Sequence, residues 1–371
     1  MGADSSIQRI VRLTPLEAIL ACIQSRVAPV PPRRCPLASA QGATLAEDVI
    51  SPERPPRAIA LRDGFAVAAE AIADAGPYTP VPLTLVARRI DAGDPLPSGT
   101  DAVMPLEAIA LRGDRAEATA AVTPGEGVLP AGGDAEPATT LRRAGERLRA
   151  IDSAVMAAAG IAEVSVRSPR IAVVYGSAAR TPILDAARAA LVAGIERAGG
   201  SLRDSVGVIE AALNDRQSDA VIVVGGTGSG RRDGAVQEVA RRGELEAHGI
   251  AIGPGDTAAF GFVDGRPVLL SPGRLDAALA VWLFIGRQLT AKLAGSVVDE
   301  MPVILPLKHK VASTIGITEL VPVRCGEGMA EPLGSGYLSL TTLARSDGWI
   351  AVPAESEGFA AGVEVAVNPW S

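Results

Sequence analysis

Apolar positions along this chain change their spacing several times, and each change predicts a different kind of element. Leu16, Ile19, Leu20, Ile23 and Val27 recur at helical intervals just after Thr14-Pro-Leu-Glu17. A capping threonine, a proline suited to the first turn and a glutamate completing a capping box predict a helix start there. The run Pro29-Val-Pro-Pro-Arg33 ends it, and residues 43–50 read as an extended exit. From about Pro52 to Gly127 short β-like runs alternate with Gly and Pro, most clearly at 81–86, 101–104 and 118–122. Helical spacing returns over 144–159 through Leu148, Ile151, Val155 and Met156. A β module between two helical stretches predicts an insertion into a discontinuous domain.

Between Pro169 and Ser296 strand and helix patterns alternate. Residues 171–175, 219–224, 249–252 and 267–270 are continuous apolar runs of the kind buried in parallel sheets. Helical patterns at 185–198, 207–213, 233–241 and 274–293 lie between or after them, predicting a three-layer, largely parallel sheet. Beyond Met301 the texture is β again, at 302–306, 319–324, 349–352 and 363–367, which reads as a small barrel or sandwich. The expected domains are therefore 8–50 with 128–167 (helical), 51–127 (β-rich), 168–297 (α/β) and 298–371 (β-barrel).

Composition narrows the function classes. At 371 residues with 48% hydrophobic but only 3% aromatic, several aliphatic cores are expected. The 35 basic and 42 acidic residues leave a net charge of −7, which disfavours nucleic-acid partners. Three distant cysteines without a Cys-x-x-Cys exclude a disulfide framework, and His248 and His309 are too few for a histidine-rich metal site. The N-terminus carries no apolar core of signal-peptide length, and the apolar stretch near 275–293 is broken by Arg287 and Lys292. A soluble, cytoplasmic protein without a membrane partner is expected.

Candidate chemistry concentrates where a buried strand ends. Gly225-Gly-Thr-Gly-Ser-Gly-Arg-Arg-Asp233 follows such a strand, the place where ligands of open sheets gather. Gly225, Gly226 and Gly228 permit close backbone approach, Thr227 and Ser229 bring hydroxyls, and Asp233 is able to hold a metal or a polar head group. The glycines match neither a P-loop nor a dinucleotide fingerprint. Ser271-Pro-Gly-Arg274 offers a helix start that an anion or a simple cap would fit equally. From spacing alone, Leu61-Arg-Asp-Gly-Phe-Ala-Val67 and the acidic loop 91–101 read as turns.

In this order these segments resemble the MoeA family, whose domains also occur in gephyrin. The likeness runs through Pro15-Leu-Glu-Ala18, Leu45-Ala-Glu-Asp-Val49, Asp63-Gly-Phe-Ala-Val67, Gly93-Asp-Pro-Leu-Pro-Ser-Gly-Thr-Asp-Ala-Val103 and Ala157-Ala-Ala-Gly-Ile161. It continues through Gly225-Gly-Thr-Gly228, Gly334-Ser-Gly336 and Leu343–Pro353. The resemblance implies a four-domain homodimer that inserts molybdate into adenylylated molybdopterin, releasing AMP, with Mg²⁺ moderating phosphate charge. It implies catalytic roles for Asp63, Asp204 and Asp233, with Asp63 and Asp233 near the metal. Asp134, Asp185, Pro254, Gly255, Ser271, Pro272 and Gly273 join Gly225–Ser229 as expected contacts to cofactor or nucleotide.

The departures are specific. Arg62 stands where the family has Met, and Tyr175-Gly-Ser-Ala-Ala-Arg180 replaces Thr-Gly-Asp-Glu-Leu, removing two carboxylates. Asp185-Ala-Ala187 replaces Asp-Ser-Asn. Ile252-Gly-Pro-Gly-Asp-Thr257 replaces a Lys-Pro-Gly-Lys-Pro segment, so two lysines are lost and Asp256 is gained. Pro272-Gly-Arg-Leu275 replaces Pro-Gly-Asn-Pro. Each lost charge-assisted contact is worth about 1.5–3 kcal/mol, which opens a second expectation: a non-catalytic molybdopterin- or nucleotide-binding accessory protein. Arg62 and Arg274 are the residues positioned in sequence to restore positive charge.

Overall fold

The computed structural model describes residues 10–84, 87–112, 115–177, 180–203, 209–230, 233–298 and 301–370. They form two compact units. One takes in residues up to 47, 144–150 and 163 onward; the other comprises 48–143 and 151–162.

The first unit is organised around a six-stranded sheet. Its order is Ser201–Arg203, Arg170–Tyr175, Ala220–Val224, Arg266–Ser271, Ala259–Val263, Glu244–His248. The first four strands run parallel, and the last two are antiparallel additions. The sheet is thus largely parallel, and its antiparallel end has a local cause. Asp264 and Gly265, both at positive φ, join two strands by a two-residue hairpin, far too short for a crossover. The strand Glu244–His248 escapes the apolar-run criterion because its edge position leaves two glutamates solvated.

Successive residues of the central strands point to opposite faces. Ile171, Val173, Ile222 and Leu269 pack with Leu191 and Ile195 of helix Pro182–Arg197 and with Leu16, Ile19 and Ile23 of helix Leu16–Arg26. Ala172, Val174, Val221, Val223 and Leu270 face Leu213 and the helix Ala235–Arg242 through Val236 and Val239. Thr181 caps helix Pro182–Arg197 by accepting from Leu184 N–H, so that helix begins earlier than its apolar pattern suggests. Thr14 does not cap. Its N–H donates to Gly249 O at 2.9 Å and its carbonyl accepts from Ala251 N–H at 2.8 Å, which makes it a strand-like tether.

Residues Leu275–Ala294 form one helix with a single π turn at Trp282–Gly286. By length and composition it is able to cross a membrane, yet 78% of its apolar window is buried in this unit, making it a core helix. The C-terminal sheet orders Ile252–Gly253, Thr318–Gly326, Gly348–Val352, Glu364–Pro369 and Val303–Pro306, with Met329–Pro332 added on Thr318–Gly326. Its first strand is lent by the α/β region: Ile252–Gly253 pairs in parallel with Thr318 and Glu319.

The second unit is built from short strands. Gly64–Val67 lies between Arg88–Ile90 and Ala102–Pro105, and Arg115–Ala118 lies between Val81–Pro82 and Ile109–Arg112. Residues 119–122 are not strand; the ladder stops at Ala118. The helix expected over 144–159 is confined to Ala150–Ala158, because Gly145 adopts φ +85° and the backbone around Leu148 is bonded to Ala43.

Candidate functional site

Three parallel strands of the first unit end side by side, and glycine permits their ends to close up. Gly176 N–H donates to Val224 O at 3.0 Å, and Gly225 N–H donates to Ser271 O at 2.8 Å. A Cβ on Gly176 would collide with Gly225 O, one on Gly226 would lie 2.7 Å from Gly176 O, and one on Gly273 would lie 2.9 Å from Leu184. Gly225 and Gly226 also need φ of +84° and +76°. Glycines expected to admit an anion are therefore required first by the packing of main chain on main chain.

The loop after Val224 then turns outward. Gly225, Gly226 and Thr227 are buried, whereas Ser229 and Gly230 are exposed. His248 Nε2 donates to Thr227 O at 2.9 Å, and the Thr227 hydroxyl lies 3.2 Å from that of Thr257. Asp233 folds back on the loop: its carboxylate accepts Gly230 N–H at 2.9 Å and would stand 2.8 Å from a Cβ on Gly228. That end of the glycine loop is closed by its own negative charge. Asp204, Arg231 and Arg232 lie outside the described residues.

On the neighbouring strand end, Tyr175 Oη donates to Asp185 at 2.6 Å and accepts from Arg180, whose guanidinium lies over the Tyr175 ring at 4.3 Å. The Tyr175 hydrogen bond, helped by Arg180, holds the Asp185 carboxyl below the usual aspartate range.

Beside these ends opens a cleft of about 450 Å³ between the segment 252–257, the turn at Pro272 and Arg274, and C-terminal residues that include Thr314, Glu319 and Tyr337. Of the residues expected from sequence, Pro254, Gly255 and Pro272 line it; Gly225–Ser229, Ser271, Gly273 and Asp233 do not. Arg274 is the one basic lining residue among those described. Its Nε meets Asp276 Oδ1 at 3.1 Å and its Nη2 meets Oδ2, while Leu338 N–H donates to the same carboxylate at 3.1 Å. Asp276 is only 3% exposed, and the bond to it raises the Arg274 pKa. Arg274 therefore neutralises a buried acid and does not restore the charge of the missing lysines. Asp256 and Glu319 add two carboxylates to the lining.

Asp63 and Asp134 belong to the second unit. Asp63 is exposed before the strand Gly64–Val67, and its carboxylate accepts Ala92 N–H at 2.8 Å. Asp134 is exposed in a turn where its N–H donates to Arg54 O at 2.9 Å. Arg62 is paired with Glu126 at 3.1 Å. Among the described residues no group of three or more His, Cys, Asp or Glu side chains is arranged to hold a metal ion.

Sequence reasoning missed Glu319, Thr314 and Tyr337. Glu319 did carry a signal, being a carboxylate inside an otherwise apolar buried run from Thr318 to Val323.

Comparisons with known proteins follow the same layout. Residues 14–160 match the family described as "MoeA N-terminal region (domain I and II)". Residues 178–292 match "Probable molybdopterin binding domain", and residues 305–370 match "MoeA C-terminal region (domain IV)". A Methanocaldococcus jannaschii protein named for molybdopterin biosynthesis is 27% identical over 356 residues, covering 85% of this chain and 87% of its own length. Molybdopterin molybdenumtransferase 2 of Mycobacterium tuberculosis is 28% identical over 292 residues, covering 67% of this chain and 72% of its own. The crystal structure of a molybdopterin biosynthesis MoeA protein from Pyrococcus horikoshii superposes with a TM-score of 0.77 at 27% identity, over 97% of this chain and all of the other. With all three regions matched in order and the fold shared across nearly its whole length, the chain belongs to the MoeA family of molybdenum cofactor biosynthesis.

Proposed function

We propose that this protein, as a cytoplasmic homodimer, binds molybdopterin or its adenylate at the strand ends and inserts molybdate with release of AMP. The convergence of three parallel strand ends beside a cleft of about 450 Å³ carries this reading, because ligands of open sheets gather at such ends. The name of the Mycobacterium tuberculosis relative supports the reaction type. In this reading Asp63, Asp204 and Asp233 are the catalytic carboxylates, and Asp134 and Asp185 orient the ligand. Ser229 meets polar head groups over the main-chain floor of Gly225, Gly226, Gly228 and Gly273, while Thr227 and Ser271, 2% and 0% exposed, lie buried beneath it.

Mg²⁺ fits the acidic composition but not a ready-made cage. Asp233 is engaged by Gly230 N–H, and the described residues supply no three-ligand group.

One observation favours a second reading, a molybdopterin-binding accessory protein without turnover. The only described cation lining the cleft is bound to Asp276, while Asp256 and Glu319 face the cavity. A dianionic oxyanion is thus met by net negative charge. AMP release from adenylylated molybdopterin and molybdate separates the two. Molybdate-dependent release, lost in Asp63→Ala, is the expected result; release at background level together with calorimetric binding of molybdopterin selects the accessory role.

A further inference from the structure

Glu319 is only 8% exposed, lines the cleft, and among the described residues has one hydrogen-bond donor, Gly336 N–H at 2.7 Å from Oε1. No counter-ion pairs with it among the described residues. A carboxylate withdrawn from water normally gains a cation or several donors in exchange, since burial without them is costly. Here the strand pairing Gly253↔Glu319 fixes the residue at the wall of a cavity, where an occupant is able to supply what the fold does not. Ile252, Pro254, Pro272 and Ile317 give the cleft apolar walls against which a flat ring is able to lie, beside Asp256 and the Arg274 that Asp276 holds.

We infer that Glu319 reads the donor edge of a 2-amino-4-oxopyrimidine ring, the edge common to pterins and guanine. Such an edge presents an amino group and an adjacent ring N–H side by side, which match the two acceptor oxygens of one carboxylate. The cavity volume lies within the range of small-molecule sites. Neither free molybdate nor an adenine ring fits this chemistry: the first brings only acceptors and negative charge, and the second lacks the paired donors. The inference rests on the ligand class proposed above and assigns its ring end to this cleft.

Calorimetry on the full chain tests it with pterin, guanosine, adenosine and sodium molybdate as separate probes. Pterin binding that weakens about 10- to 100-fold in Glu319→Gln is expected, because one charge-assisted pair is lost. Any heat from adenosine or molybdate is expected to be the same in wild type and Glu319→Gln, since neither offers the paired donors. Guanosine binding with the same Glu319 dependence, in the absence of pterin binding, keeps the chemistry and changes the source to a guanine nucleotide. Glutamine still accepts from Gly336 N–H, so the melting temperature of the ligand-free variant should be unchanged or higher. Lower stability would make the carboxylate structural and overturn the inference. So would no binding of either ring, or equal binding by wild type and variant. Insertion activity with Glu319-independent pterin binding sinks this inference alone; Glu319-dependent binding without insertion sinks only the catalytic reading.

Discussion

Arg274 has a side chain 55% exposed at the cleft, yet its guanidinium is committed to Asp276, which is 3% exposed. The arginine looks like a replacement cation in sequence, but two residues further on the chain buries the acid that consumes it. Arg274→Met should therefore act on stability before binding: the Asp276 carboxylate would keep only Leu338 N–H, at a cost of about 2 kcal/mol. The urea midpoint is expected to fall in Arg274→Met and to recover in Arg274→Met/Asp276→Leu. An unchanged midpoint in the single variant would show that Leu338 N–H alone satisfies the acid. Residue identities were readable in sequence, but pairings were not, since Arg62–Glu126 and Asp233–Gly230 depend on loop conformations.

At the scale of elements, legibility followed the strength of local pattern. Fully buried strands such as Ala220–Val224 and the helix Leu16–Arg26 declare themselves through unbroken or periodic apolar residues. The edge strand Glu244–His248 and its neighbour Ala259–Val263 were missed, although Asp264-Gly265 is a hairpin signal lying between a strand and its partner. The π turn in Leu275–Ala294 leaves no mark on the apolar pattern, and the packing at its first residue involves another helix. Trp282 is packed between Gly194 of helix Pro182–Arg197 and Gly286 of its own. A Cβ on Gly194 would lie 2.5 Å from the indole. Gly194→Ala should lower stability by about 1–3 kcal/mol, even though alanine is favoured over glycine by about 1 kcal/mol inside a helix. Thermal denaturation with a compensating Trp282→Leu checks it; a stabilised Gly194→Ala would mean the indole has room to shift.

For the whole molecule, short motifs met in a fixed order along the chain carried the family resemblance, and the three matched regions follow that order. The loan of Ile252–Gly253 to the C-terminal sheet was not legible, since two residues make no pattern and their partner lies some 65 positions away. Nor was the cleft, whose walls come from both sides of that loan. The proposed homodimer predicts a light-scattering mass about twice the 37.8 kDa of one chain, independent of salt up to about 0.5 M if its contacts are mainly apolar. A single-chain mass at micromolar concentration would overturn the proposed homodimer.

The glycine contacts among Gly176, Gly225, Gly226 and Gly273 have a consequence for how this fold diversifies. A platform assembled from peptide groups alone keeps its shape whatever charges border it, so ligand preference is free to drift through surface exchanges such as lysine for Asp256. Shape and polarity are inherited separately here, and a relative that has abandoned one ligand retains an intact mould for another.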